Sequence, residues 1–219
     1  MHFPITIVDN FFDDPERIVK FANSLEYSSK KDHEYWPGFR TKPLYEIDKG
    51  YFEWSTQKIL KCFYKENLTH HTNTLFQKIK GFEGVTNEGW VHVDQGIMAA
   101  IIYLDKDGTD GTNFYKPTSF GSYKHADTHI KQAFRHDGQL HKEGVSLKEY
   151  VAARDRNNSH FEKTVEVKGL YNRAVIYDSK IYHTASSYPS DKERLTQIFF
   201  FYNISSDWFP ALSIRKHEE

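Results

Sequence analysis

The chain has 219 residues, of which 38% are hydrophobic and 16% aromatic, with a mean hydropathy of −0.70. That length suits one domain with its own core, and so many rings exclude an intrinsically disordered chain. Lysine plus arginine (29) nearly balances aspartate plus glutamate (30), so the net charge of −1 supplies no field for nucleic acid or another polyanion.

Cys62 is the only cysteine and cannot close an internal disulfide, so a reducing, cytoplasmic setting is expected. Met1-His2-Phe3-Pro4 lacks the basic and apolar regions of a leader peptide. The longest apolar runs, Ile97–Leu104 and Ile198–Tyr202, are too short to cross a bilayer, and no membrane partner is expected.

Phe3–Val8 reads as a first strand. Asp14-Pro15-Glu16 then has the pattern of a helix start, with a capping aspartate and a proline in the first turn, followed by an apolar stripe of Ile18, Phe21, Ala22 and Leu25. Trp36-Pro37-Gly38-Phe39 is expected to turn, and Tyr51–Tyr64 to form a second helix. From Leu75 onward, short apolar stretches alternate with turn residues. Leu75–Ile79, Trp90–Val93, Ile97–Leu104, Thr112–Tyr115, Thr164–Val167, Ala174–Tyr177, Ile181–Thr184 and Leu195–Tyr202 are the expected strands, with Asp105–Gly111 as a turn. About eight such strands suit a closed or two-sheet β-structure.

The polar, histidine-rich stretch Phe120–Asn158 breaks this pattern and reads as an insertion bounded at 118–160, with a helix at Leu147–Arg154. It is either a lid over a substrate or a solvated loop. The whole chain, 1–219, is expected to be a single domain. Residues 1–74 supply an N-terminal strand and supporting helices, and residues 75–205 the β-core, giving a mainly β fold with flanking helices.

Within that core, "WVHVDQ" sets His92 and Asp94 two residues apart in an apolar, β-favouring run. Alternation in a strand would put both on one face, where an imidazole and a carboxylate can share a metal ion. His183, just after the strand-like Ala174–Tyr177, is the best third donor. Two histidines and one carboxylate make the facial triad of non-haem Fe(II) oxygenases, which leaves positions open for a bidentate 2-oxo acid and for O2. A dianionic cosubstrate needs a cation for its second carboxylate. Arg194 can bind one through paired hydrogen bonds, and Thr196 points the same way along the strand.

His92-Val93-Asp94, Tyr103-Leu104-Asp105, Gly111-Thr112-Asn113-Phe114, His183 and Arg194-Leu195-Thr196 together resemble the 2-oxoglutarate/Fe(II)-dependent oxygenases, most of all their prolyl-hydroxylase-like branch. The stretches "WVHVDQGIMAAIIYLDKDGTDGTNFY" and "YNRAVIYDSKIYHTASSY" are closer still to a set of phage and bacterial proteins of that superfamily. The resemblance covers Trp90–Tyr202 and extends to "WPGFRT" at Trp36–Thr41. It implies a double-stranded β-helix (jelly-roll, cupin-like) core and hydroxylation of a C–H bond on a small molecule, amino acid or peptide. A phage-encoded protein acting in a bacterial host also fits it. By the resemblance His92, Asp94 and His183 ligate iron. Arg194, with Thr196 and Tyr103, takes 2-oxoglutarate. Trp36, Phe39, Arg40 and Trp90 are candidates for the substrate mouth, with ordinary packing as their plain reading. The family's paired glycines are Asp110-Gly111 here, a departure expected to touch no ligand.

Plainer readings exist for each residue. His183 could cap a strand end, Arg194 could pair with Asp191 or Glu193 at the surface, and Tyr103 could be core. A zinc hydrolase or isomerase on a jelly roll would use the same three donors, but no general base stands out and Arg194 is left unexplained. A non-enzymatic β-sandwich binding module is the third reading. His125-Ala126-Asp127-Thr128-His129 lacks the glutamate of a zinc-protease helix, and Asp105–Asn113 lacks the glycine and terminal glutamate of a calcium loop.

Overall fold

The computed structural model describes residues 3–29, 36–64, 68–108, 110–118, 128–131, 133 and 144–205. About half of the insertion, including His125-Ala126-Asp127, lies outside the described residues.

Near the N-terminus, β1 (Thr6–Val8) precedes α1 (Pro15–Asn23). Asp14 caps α1 by accepting from the Arg17 amide at 3.1 Å, with Pro15 in the first turn, and Ile18 and Ala22 turn inward. Two short strands, β2 (Ser28–Ser29) and β3 (Phe39–Arg40), and a single turn, α2 (Leu44–Ile47), lead to α3 (Lys49–Leu60). Asp48 caps α3 through the Tyr51 amide at 2.9 Å.

The β-core follows as β4 (Thr69–Ile79), β5 (Met98–Tyr103), β6 (Gly111–Pro117), β7 (Phe161–Lys168), β8 (Ala174–Asp178), β9 (Tyr182–Ala185) and β10 (Arg194–Ser205). Between β6 and β7 lie α4 (Thr128–Lys131) and α5 (Leu147–Asn158). All strand pairs are antiparallel. One sheet runs β1-β8-β5-β10-β4-β3-β2 and a smaller one β7-β6-β9.

Alternation along β10 sorts the side chains into two layers. Leu195, Phe199 and Phe201 join Phe76, Met98, Ile102 and Ile176 under Ile18, Ala22, Leu44, Ile59 and Leu60 of the helices. Each buried phenylalanine contributes about 1.5–3 kcal/mol here. Gln197 lies on the same side and is satisfied there, accepting from Tyr51 Oη at 2.7 Å and donating to Ser55 and Thr74. On the other face of the large sheet, Ala99, Tyr103, Val175 and Tyr177 pack against Phe114 and Val167 of the small sheet. Arg194 and Thr196 point into this inter-sheet layer, since Thr196 stands opposite Tyr103.

Two expectations need correction. Trp90–Val93 is not a ladder strand, because only His92 pairs, through an isolated bridge to His183. β4 begins at Thr69 rather than Leu75, because its polar half THHTNT is held by the far half of β10. Among the described residues no helix is long and apolar enough to cross a membrane.

Candidate metal centre

The bridge that replaces the expected strand is what brings the two imidazoles together. The His92 amide donates to the His183 carbonyl at 3.0 Å, and the His183 amide returns the bond at 2.8 Å. Residues exchanging both bonds in an antiparallel pair project to one side. The rings stand 4.5 Å apart between centroids. The Asp94 amide donates to the Ser179 carbonyl at 2.9 Å, which swings its carboxylate under the pair. One donor atom from each of His92, Asp94 and His183 lies within 4.8 Å of the others.

Tautomers decide what this cluster lacks. His92 Nδ1 lies 2.7 Å from the Trp90 carbonyl and His183 Nδ1 lies 2.8 Å from the Ile181 carbonyl. A carbonyl only accepts, so each Nδ1 carries the hydrogen and a neutral ring keeps a lone pair on Nε2. Those Nε2 atoms face Asp94 oxygens at 3.6 Å from His92 and 3.2 Å from His183. Lone pairs turned toward a carboxylate repel unless a cation sits among them. Two backbone-anchored imidazoles and one carboxylate therefore fit a divalent metal.

The surroundings agree. Burial, with His183 and the Lys131 ammonium close by, holds the His92 imidazole below its usual range, favouring the neutral ligand form. Burial alone would raise Asp94, but His183, His92 and Arg40 outweigh it and keep the carboxyl well below its ordinary value. The His92 side chain retains 34% exposure, so the centre opens to one side.

Tyr177 and Lys131 were not anticipated. Tyr177 Oη donates to Asp94 Oδ2 at 3.5 Å and its ring lies 4.7 Å from that of His183. The alternation of β8 put Tyr177 on the inner face, which was the available signal. Lys131 comes from α4, and its ammonium is pushed down to about 8 by burial, against the pull of Asp94. Nothing in the polar composition of the insertion marked it.

Arg194 is 3% exposed, in the inter-sheet layer. Its guanidinium carbon lies 5.2 Å from the Tyr103 ring and 5.8 Å from that of Tyr188. Tyr103 Oη meets Thr112 Oγ1 at 2.6 Å, and Thr196 is buried beside them. Arg194 does not pair with Glu193, which meets Lys78 instead. Its partner is the buried Asp110, through Nε and Oδ2. The contact lacks hydrogen-bond alignment, and Nη2 is buried without a hydrogen-bond partner among the described residues. The Asp-Gly departure thus bears directly on this arginine.

Of the substrate-mouth candidates, Arg40 lies 4.7 Å from the Trp36 ring and 5.9 Å from that of Phe200, and its charge reaches Asp94. Phe39 is half-buried in β3 beside Arg40. Trp90 is 7% exposed and packs edge-on against Tyr150 of α5.

Asp105 offers an independent check on this charged layer. Burial pushes its carboxyl from 3.8 up to about 6, against the Leu195 amide and Arg194. The folded state then binds its proton more tightly than the unfolded one, so this contribution is present below the ordinary value and lost as pH rises through about 6. Asp105→Asn keeps an acceptor for the Leu195 amide. Thermal melts should show Tm raised by about 3–6 °C near about pH 8 and unchanged near about pH 4.

A family described as one of unknown function, DUF6445, matches residues 2–196. The chain belongs to DUF6445. No curated protein matches this DUF6445 chain. Among solved structures it is similar to the non-heme alpha-ketoglutarate-dependent epimerase SnoN from nogalamycin biosynthesis, with a TM-score of 0.53 and 11% identity over 90% of this chain and 78% of that one. HygX from Streptomyces hygroscopicus, solved with nickel and 2-oxoglutarate bound, gives 0.51 and 10% over 89% and 81%. EvdMO1 gives 0.51 and 16% over 91% of this chain and 47% of that one. At such identities the likeness shows a shared fold, and chemistry must be argued from the site.

Proposed function

We propose that this DUF6445 chain is an Fe(II)- and 2-oxoglutarate-dependent oxygenase of the prolyl-hydroxylase-like branch, on a double-stranded β-helix core. Its reaction would be hydroxylation of a C–H bond in a small molecule, amino acid or peptide, and the exposed Cys62 suits a reducing cytoplasm. The observation that carries the reading is the convergence of His92, Asp94 and His183 around one point that needs a cation.

In this reading His92 and His183 present Nε2 to iron, each fixed by a carbonyl on Nδ1, and Tyr177 steadies Asp94. Bound iron supplies the chemistry that couples O2 to oxidative decarboxylation of 2-oxoglutarate to succinate. Arg194 receives the far carboxylate, its buried, unmatched Nη2 being a donor in want of an acceptor, with Tyr103 and Thr196 beside it. Arg40 and Trp36 are the residues of choice for orienting substrate.

The test is anaerobic titration of the purified full-length chain with Fe(II) and 2-oxoglutarate, followed by visible spectroscopy. A charge-transfer band should grow to one equivalent, disappear in Arg194→Ala, and give way to succinate on admission of air. Fe(II)-loaded protein that shows no band and no binding of 2-oxoglutarate refutes the reading.

A further inference from the structure

Arg194 already holds a carboxylate. Asp110 is 6% exposed and reaches Nε with Oδ2, inside the slot formed with the Tyr103 and Tyr188 rings. Its backbone leaves it little freedom. The Asp110 carbonyl accepts from the Gly169 amide at 2.7 Å, and a β-carbon on Gly111 would collide with the Val167 carbonyl. The carboxylate is thus delivered to the guanidinium by a fixed turn.

Resting on the oxygenase reading, we infer that Asp110 is a resident competitor on Arg194. An incoming dicarboxylate must share or take the guanidinium from it, so Asp110 sets the selectivity between 2-oxo acids with and without a far carboxylate. The charge count leads there. Arg194 and Asp110 together are neutral, and a second ionised carboxylate would leave the buried group net negative. A 2-oxo acid ending in a methyl group meets no such penalty. If Asp110 merely oriented Arg194 for the ligand, its neutralisation would weaken 2-oxoglutarate binding. Competition predicts the opposite sign.

The probes are 2-oxoglutarate and 2-oxopentanoate, which have the same carbon chain with and without the far carboxylate. Dissociation constants are measured anaerobically on Fe(II)-loaded full-length protein, by the visible band and by ligand-induced shift in Tm. The wild type should favour 2-oxoglutarate by less than about tenfold. Asp110→Asn, and Asp110→Gly, which gives the glycine pair of the oxygenases that the sequence resembles, should each raise that preference at least about tenfold, chiefly by tightening 2-oxoglutarate. A variant that does not fold leaves the wild-type ratio decisive, and a wild-type preference of about tenfold or more overturns the inference. So does an unchanged or reduced ratio in either folded variant. Failure of every protein to bind either acid overturns the oxygenase reading and this inference together, whereas binding of both acids with an unmoved ratio overturns the inference alone.

Discussion

Replacing His183 by alanine should reduce bound metal from about one equivalent per chain to less than about a tenth. His183 contributes the most enclosed donor of the three, with a side chain 6% exposed against 34% for His92. Its removal leaves one imidazole and one carboxylate, a pair that holds a divalent ion only weakly in water. It also leaves a cavity against the Tyr177 ring, 4.7 Å away, for a stability loss of about 2–4 kcal/mol. Asp94→Asn separates the two effects, because it is close to isosteric and removes only the charge. Both variants should lose the metal while Asp94→Asn keeps its fold by circular dichroism. Tyr182→Phe, a neighbour on β9 whose ring packs on Phe161, should bind metal normally. Metal analysis after gel filtration reads the outcome. Stoichiometric metal in His183→Ala would move the centre elsewhere in the chain.

How much of this was legible beforehand depended on which groups satisfied the backbone. β5, β8 and β10 satisfy one another and carry unbroken apolar runs, so alternation along β10 correctly put Arg194 and Thr196 on one face, and the register sets Tyr103 opposite Thr196. The pairing of His92 with Asp94 was reached by a wrong route. Trp90–Val93 has strand-favouring residues but no strand beside it apart from the single bridge. The polar half of β4 and the two-residue strands β2 and β3 were invisible because their places come from partner strands, with no apolar pattern of their own. Asp110 stood out only as a departure from a glycine pair, for a related reason. A charge next to a turn glycine reads as solvated, and only the packing of the small sheet on the large one shows that it is enclosed with Arg194.

Asn158→Ala should weaken metal binding by about 10–100-fold while α5 stays folded. The stretch 86–91, which leads into His92, has few strand partners, and its backbone groups find side chains of α5 instead. Asn158 Oδ1 accepts from the Val91 amide at 2.9 Å, and Nδ2 donates to the Gly89 carbonyl at 2.9 Å. Asn157 Nδ2 donates to the Val91 carbonyl at 3.2 Å. Arg154 Nη1 reaches the carbonyls of Thr86 at 2.6 Å and Glu88 at 3.2 Å. The helix thus does the work of a neighbouring strand, anchored by a capping box in which Ser146 and Glu149 satisfy each other's amides. Losing Asn158 leaves a partly buried amide unmet, a cost of about 1–3 kcal/mol, and frees the segment that aims His92. Asn158→Asp keeps the acceptor for Val91 but sets an oxygen against the Gly89 carbonyl where Nδ2 donated, so its metal affinity should fall as well. Competition against a chromophoric chelator gives the affinities, and thermal melts of metal-free protein give the stability term. If Asn158→Ala lowers Tm yet binds metal as tightly as the wild type, α5 serves packing alone. If affinity falls in both variants, the C-terminal helix of the insertion belongs to the metal centre as its positioning element.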